Sequence, residues 1–240
     1  MLSKNELKYI QSLCHKKQRQ ETGLFLAEGP KLVEELLHSD YRIKKILATG
    51  QWTEEHGTNH LVEQVTEAEL EKISALQTPN QVLAIVEQKA LVTEPVIEGR
   101  LSLVLDGIQD PGNMGTIIRI ADWFGIEQII ASEDTVELYN PKVIQSTMGS
   151  FMRIKLWYKP LTHFLSTLQV PVYGALLTGN NLYEQPLLKE GVLVIGNESK
   201  GIRPELLPFI NHPVTIPRIG GAESLNAAVA TGILLSHLIK

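Results

Sequence analysis

Asn113, Arg119, Glu198, Ser224 and Asn226 are the residues whose types and placement allow chemistry, and each lies in or just behind a glycine-rich loop. The first loop reads Asp106-Gly107-Ile108-Gln109-Asp110-Pro111-Gly112-Asn113-Met114-Gly115. Its glycines and proline suit a tight backbone path. Asn113 is a candidate N-cap, with Arg119 under two turns further on. The second loop, Gly196-Asn197-Glu198-Ser199-Lys200-Gly201, has glycines that let backbone approach a ligand. There Glu198 can face a cation or a hydroxyl. The third runs from Ile216 to Asn226 and puts Ser224 and Asn226 at the start of the last helix. Each residue alone also has a purely structural account. Arg119 can pair with Asp122, Glu198 can favour a helix dipole, and Ser224 can be an N-cap.

A different chemistry is suggested near the start. Up to residue 20 the chain carries Lys4, Lys8, Lys16, Lys17 and Arg19 against Glu6 alone, although the whole chain has a net charge of −5. Lys16, Lys17 and Arg19 are candidates for phosphate contacts. A solvated helix end explains them equally well.

Other classes are excluded. There is no G-x-G-x-x-G after a strand and no G-x-x-x-x-G-K-[ST], which argues against a dinucleotide-dependent dehydrogenase and a P-loop NTPase. No G-x-S-x-G elbow appears, which argues against an α/β hydrolase. Cys14 is the single cysteine, so no intrachain disulfide or cysteine-based zinc site can form, and the histidines show no zinc-ligand spacing. No metal is expected. The basic, polar start does not resemble a signal peptide, and no apolar run approaches the roughly 20 residues of a membrane span. A cytoplasmic protein without membrane contact is expected. At 240 residues, 43% apolar and 20% charged, the chain has the composition of an ordinary globular protein.

The elements that must position these residues fall into two parts. Residues 1–88 read as a small α/β unit. Its strand candidates are Leu24–Ala27, Ile43–Ala48 and Val82–Val86, with a helix over Lys31–His38 and a capping box at Thr66–Glu69. Residues 89–100 mix charge with Pro95 and Gly99 and read as a linker. From residue 101 to 240 the pattern is strand, loop, helix, repeated. The strand candidates are Leu101–Leu105, Gln128–Ala131, Ile154–Trp157, Val172–Leu177, Val192–Ile195 and Val214–Ile216. Continuous apolar strands between helices predict a parallel sheet covered on both faces. Ligands bind such sheets outside the C-terminal strand ends, where all three loops fall. The last helix, from about Ser224 to the chain end, is apolar nearly all round, as in a core or a subunit interface.

Three ordered stretches carry a resemblance. They are Asp110-Pro-Gly-Asn-Met-Gly115 with Arg119 and Ala121, Val194-Ile-Gly-Asn-Glu-Ser-Lys-Gly201, and Ile216-Pro217 with Ser224-Leu225-Asn226. Together they resemble the SpoU (TrmH-like) family of RNA ribose 2′-O-methyltransferases in the SPOUT superfamily. The resemblance implies an α/β fold whose parallel-sheet SPOUT domain ends in a C-terminal trefoil knot, preceded by a small α/β RNA-binding domain. It implies S-adenosylmethionine as cofactor, held by Gly196, Ile216 and Leu225 with Leu176 or Leu177 at the adenine. It also implies a catalytic cluster of Asn113, Arg119, Glu198, Ser224 and Asn226. Phe25-Leu-Ala-Glu-Gly29 looks like part of the substrate-binding domain that many members carry. Arg218 stands where family members commonly have an uncharged residue, and is counted with the RNA contacts. A homodimer through the knotted region is implied. The two-part layout favours ribosomal RNA over transfer RNA as substrate. The alternatives are a transfer RNA 2′-O-methyltransferase and a non-catalytic RNA-binding protein of the same fold.

Overall fold

The computed structural model describes residues 1–57 and 60–239. The chain divides into two compact units, Met1–Ala90 with Glu137–Met152, and Leu91–Val136 with Arg153–Lys240.

In the first unit the order is α1 (Lys4–Ser12), α2 (Lys16–Thr22), β1 (Leu24–Glu28), α3 (Pro30–Leu37), β2 (Ile43–Ala48), α4 (Gly50–His56), β3 (Val62–Gln64), α5 (Glu67–Ile73) and β4 (Val82–Glu87). The sheet order is β1-β4-β2-β3, antiparallel except for the parallel β2–β3 pair. Local chemistry explains the helix starts. Ser3 and Glu6 form a capping box on α1, Thr66 and Glu69 form another on α5, and Pro30 opens α3. The Glu69 carboxylate also accepts the Leu2 amide at 2.7 Å. These backbone donors hold it below the usual carboxylate range. One apolar cluster gathers Leu2, Ile10, Leu13, Leu26, Leu47, Leu70, Ile73 and Leu83, so α1 and α5 lie against the sheet.

The second unit begins with β5 (Leu101–Leu105), α6 (Pro111–Trp123) and β6 (Gln128–Ala131). The chain then forms α7 (Pro141–Thr147), which belongs to the first unit and packs against β1. It returns with β7 (Lys155–Tyr158), α8 (Leu161–Ser166), β8 (Val172–Asn181), β9 (Gly191–Ile195), β10 (His212–Thr215) and α9 (Ala227–Leu238). The six strands are ordered β10-β8-β9-β5-β6-β7, and every pairing is parallel. The central strands β5 and β9 are apolar and buried nearly throughout, as a sheet covered on both faces requires. The last helix is shorter than expected. It starts after Asn226 and stops at Leu238, and the expectation that it runs to the chain end reaches Lys240, which lies outside the described residues. Among the described residues no helix is long and apolar enough to cross a membrane.

Candidate active site

Three of the five residues singled out by type and spacing form one hydrogen-bonded chain. Asn113 Nδ2 donates to Glu198 Oε1 at 2.8 Å, and Asn226 Nδ2 donates to Asn113 Oδ1 at 2.8 Å. Asn226 Oδ1 in turn accepts the backbone amides of Ala228 and Val229, at 3.0 and 3.2 Å. The direction of this chain is fixed from one end. A helix N-terminus offers only donors, so Asn226 must turn its oxygen to α9 and its NH2 outward. Asn113 must then present oxygen to Asn226 and NH2 to the Glu198 carboxylate. The network joins the first, second and third loops at the C-terminal edge of the parallel sheet.

The caps differ from expectation. Asn226, not Ser224, is the N-cap of α9. Asp110, not Asn113, caps α6, accepting the Asn113 amide at 2.8 Å. Asp110 can do so because Pro111 occupies the first helical position and needs no N–H partner. Asn113 is thereby the third residue of the helix, and its side chain is released for the contact with Glu198. Asp122 does not pair with Arg119. It receives a forked contact from Arg153, with Nε to both carboxylate oxygens at 3.0 and 2.9 Å and Nη2 at 2.8 Å. Arg119 is exposed on α6 and engages no side chain among the described residues. Ser224 is likewise exposed, two residues before the cap.

Two groups missed by sequence reasoning hold the second loop. Asp106, at the end of β5, is fully buried. It accepts Arg203 N at 2.8 Å and Arg203 Nε at 2.6 Å. Burial works against the Arg203 charge, but the contact with Asp106 outweighs it and lifts the guanidinium pKa above its ordinary range. At the other end of the loop, Asn197 Nδ2 donates to Gly107 O at 2.7 Å, and Asn197 and Gly201 exchange backbone hydrogen bonds. Gly196 allows this fold-back, since a Cβ there would lie 2.2 Å from the Gly201 carbonyl carbon. Asp106 stood inside the first loop as a signal, but its partner lies 97 residues away.

The residues assigned to a cofactor are apolar and incompletely covered. Leu176 and Ile216 are half-buried, whereas Leu177 is 76% and Leu225 46% exposed. Thr215 Oγ1 donates to Leu177 O at 3.1 Å, tying the end of β10 to β8. Exposed leucines beside polar loops suit a ligand that has an apolar face and backbone-reading polar edges. A separate cleft of about 360 Å³ lies at the opposite end of the sheet, lined by Arg100, Phe124, Glu127 and Lys189 among others. It contains none of the candidate residues. Among the described residues no group of three or more His, Cys, Asp or Glu side chains is placed to hold a metal.

The basic segment divides. Lys16 and Lys17 are exposed, and Lys17 approaches Glu21 at 3.9 Å. Arg19 is not a surface cation. It is 2% exposed, donates through Nη1 to Leu13 O at 2.8 Å and pairs through Nε with Glu137 at 2.6 Å. The expectation that it contacts phosphate is corrected, because its guanidinium is spent inside the first unit. Arg218 is exposed and folds back on its own loop, with Nη1 3.2 Å from Ala222 O.

An open parallel sheet with a polar relay at its C-terminal edge defines a ligand-binding α/β protein whose site is assembled from loops. Comparison with known proteins gives the family. The SpoU rRNA methylase family model matches residues 100–236, and an MRM3-like substrate-binding domain matches residues 4–84. The 23S rRNA (guanosine(2553)-2′-O)-methyltransferase RlmP of Bacillus subtilis is 33% identical over 243 residues, covering 98% of this chain and 97% of that protein. A chain from Porphyromonas gingivalis assigned to the TrmH family of RNA methyltransferases superposes with a TM-score of 0.89 at 40% identity, covering 100% of this chain and 98% of that one. An AdoMet-bound rRNA methyltransferase from Sinorhizobium meliloti superposes with a TM-score of 0.85 at 32% identity, covering 99% and 96%. The chain belongs to the SpoU rRNA methylase family.

Proposed function

We propose that this protein transfers a methyl group from S-adenosylmethionine to a ribose 2′-hydroxyl of ribosomal RNA. The observation that carries the reading is the relay from the α9 cap through Asn226 and Asn113 to Glu198. A protein that only bound RNA would have no use for a carboxylate oriented by two amides. Full-length similarity to a named 23S rRNA 2′-O-methyltransferase supports the substrate class.

Gly196, Ile216 and Leu225 would hold the cofactor, with Leu176 and Leu177 at its adenine. When bound, S-adenosylmethionine supplies a methyl group already activated by the sulfonium. The protein has then to align the ribose oxygen and remove its proton. Asn113 engages Glu198 Oε1, and Oε2 would accept the proton of the ribose hydroxyl as that oxygen displaces the neutral thioether from the methyl group. A guanidinium is a cation and a hydrogen-bond donor but a poor proton acceptor, so Arg119 is suited to hold the neighbouring phosphate and stabilise the developing alkoxide. Ser224 would bond the ribose near the same point.

Lys16 and Lys17 would contact RNA phosphates from the first unit, and Arg218 from the third loop. The exposed Trp123 and Val229, on the packed helices α6 and α9, support a homodimer through this face. A trefoil knot in the C-terminal segment goes with this reading. A cytoplasmic location goes with ribosomal RNA as substrate.

The test pairs two variants. Glu198→Gln should lower kcat by about 10²–10⁴, the range for a lost general base. Arg119→Ala should lower it by about 10²–10³, as for a lost oxyanion donor. Calorimetry should find S-adenosylmethionine affinity within a few-fold of wild type in both. Near-normal turnover in either would remove that residue from the mechanism.

A further inference from the structure

Arg203 lies outside the catalytic cluster, yet it joins two of its loops. Its backbone amide and Nε both go to the Asp106 carboxylate, at 2.8 and 2.6 Å, and Nη2 lies 2.5 Å from the same carboxylate. Asp134 and Glu205 stand further off, at 3.5 and 3.8 Å, so three carboxylates surround one guanidinium. Asp106 is fully buried at the end of the central strand β5 and cannot relax into solvent. On either side of Arg203, Ile202 and Leu206 are fixed in the core cluster with Val104 and Val194. At the start of the same loop, Asn197 is tied to Gly107. The segment 196–203 is therefore clamped at both ends to Asp106-Gly107, with Glu198 between the clamps.

We infer that Arg203 is a positioning residue for methyl transfer, its fork onto Asp106 holding the Gly196 backbone and the Glu198 carboxylate in register with the first loop. The inference rests on assigning Gly196 to the cofactor and Glu198 to the reacting hydroxyl. A planar guanidinium is required, because Nε and Nη2 reach the carboxylate together while the Arg203 backbone amide takes its other oxygen. A lysine would keep the charge and lose the fork. The loop could then shift along the sheet edge without unfolding, because Ile202 and Leu206 remain buried. Cofactor recognition, which depends on the loop's backbone, should weaken first.

The test measures steady-state kinetics on an unmodified 23S rRNA transcript, with calorimetric binding of S-adenosylmethionine. Arg203→Lys should raise the KM and Kd for S-adenosylmethionine about tenfold or more, lower kcat severalfold, and leave the KM for RNA and the melting temperature near wild type. Arg203→Ala leaves Asp106 buried without its partner and is expected to destabilise the fold. The Asp106→Asn/Arg203→Gln double variant removes both charges together, and it should fold with the same rise in cofactor KM. An unchanged cofactor KM in both the lysine and the double variant would overturn the proposal. So would equal losses for cofactor and RNA that track a fall in melting temperature. Glu198→Gln run alongside separates the two readings. Its full activity would sink the site assignment, whereas its loss of kcat with an unmoved Arg203→Lys would sink only the clamp.

Discussion

Asn226 shows how one side chain can set the orientation of its neighbour and, through it, of one it does not bond. Its oxygen is committed to two amides of α9, so the order of donors and acceptors through Asn113 to Glu198 has one solution. Asn113→Asp tests this directly. The new carboxylate can still accept from Asn226, but it faces Glu198 with an oxygen in place of an NH2. Two carboxylates at hydrogen-bond distance share a proton, and one pKa rises. The general base proposed for Glu198 would have to be unprotonated to act, so the rising limb of kcat/KM against pH should move to higher pH by about a unit or more. A profile unchanged from wild type would mean that Asn113 does not orient Glu198. Identity at this scale was legible in part. Asn113, Glu198 and Asn226 are named by the three matching stretches, but the sequence carries nothing of the direction of the relay. Nor could it show that Arg19 is buried, because its partner Glu137 lies 118 residues away and its neighbours Lys16 and Lys17 are exposed. Asp106 and Arg203 were hidden for the same reason: each looks like a loop charge until the chain closes.

At the scale of elements, the strands were read best where burial on both faces makes a continuous apolar run. Leu101–Leu105 and Gln128–Ala131 coincide with β5 and β6, and Ile43–Ala48 with β2. Short edge elements escaped. The three-residue strand Val62–Gln64 is polar at two of its three positions and, among the described residues, pairs only with β2, and α4 has too few residues to show a period. Helix starts depended on capping chemistry: Thr66 was legible through its capping box, whereas Asp110 was passed over for Asn113. The packing of α7 beside β1 in the first unit has no signature in local pattern. One charged group inside this unit gives a pH prediction. Glu28 at the end of β1 is 5% exposed and accepts Ser74 Oγ and Ala75 N, which is 2.8 Å away. Burial pushes its carboxyl above the usual range, and the two hydrogen bonds only partly offset this. A raised carboxylate pKa means the folded state holds its proton more tightly than the unfolded state. The resulting stabilisation is present at low pH and is lost as pH rises through the folded value. Glu28→Gln should therefore melt at or above the wild-type temperature at pH 7, and the difference should shrink as pH falls towards 4. A variant that is less stable at pH 7 by the same margin as at pH 4 would contradict the burial account.

For the whole molecule, α6 and α9 are among the elements that leave large apolar side chains exposed. Trp123 is 85% exposed and Val229 51%, on helices that pack together where Gly232 meets Ile120. Large apolar side chains left in water are candidates for an association site, and the homodimer proposed above would use them. Val229→Asp should convert a dimer to a monomer in sedimentation velocity at micromolar concentration. A monomeric wild type, or a variant that still dimerises, would remove this face from the assembly. The sequence anticipated a last helix that is apolar nearly all round, but it could not say which of its sides remains uncovered. The central claim, methyl transfer to a ribose hydroxyl of ribosomal RNA, is reached most directly by chemistry on the product. A 2′-O-methyl group blocks alkaline cleavage of the adjacent phosphodiester. The protein, incubated with methyl-labelled S-adenosylmethionine and an unmodified 23S rRNA transcript, should place the label in alkali-stable dinucleotides after hydrolysis. Label recovered in mononucleotides, as base methylation would give, or no label in RNA at all, would contradict the account.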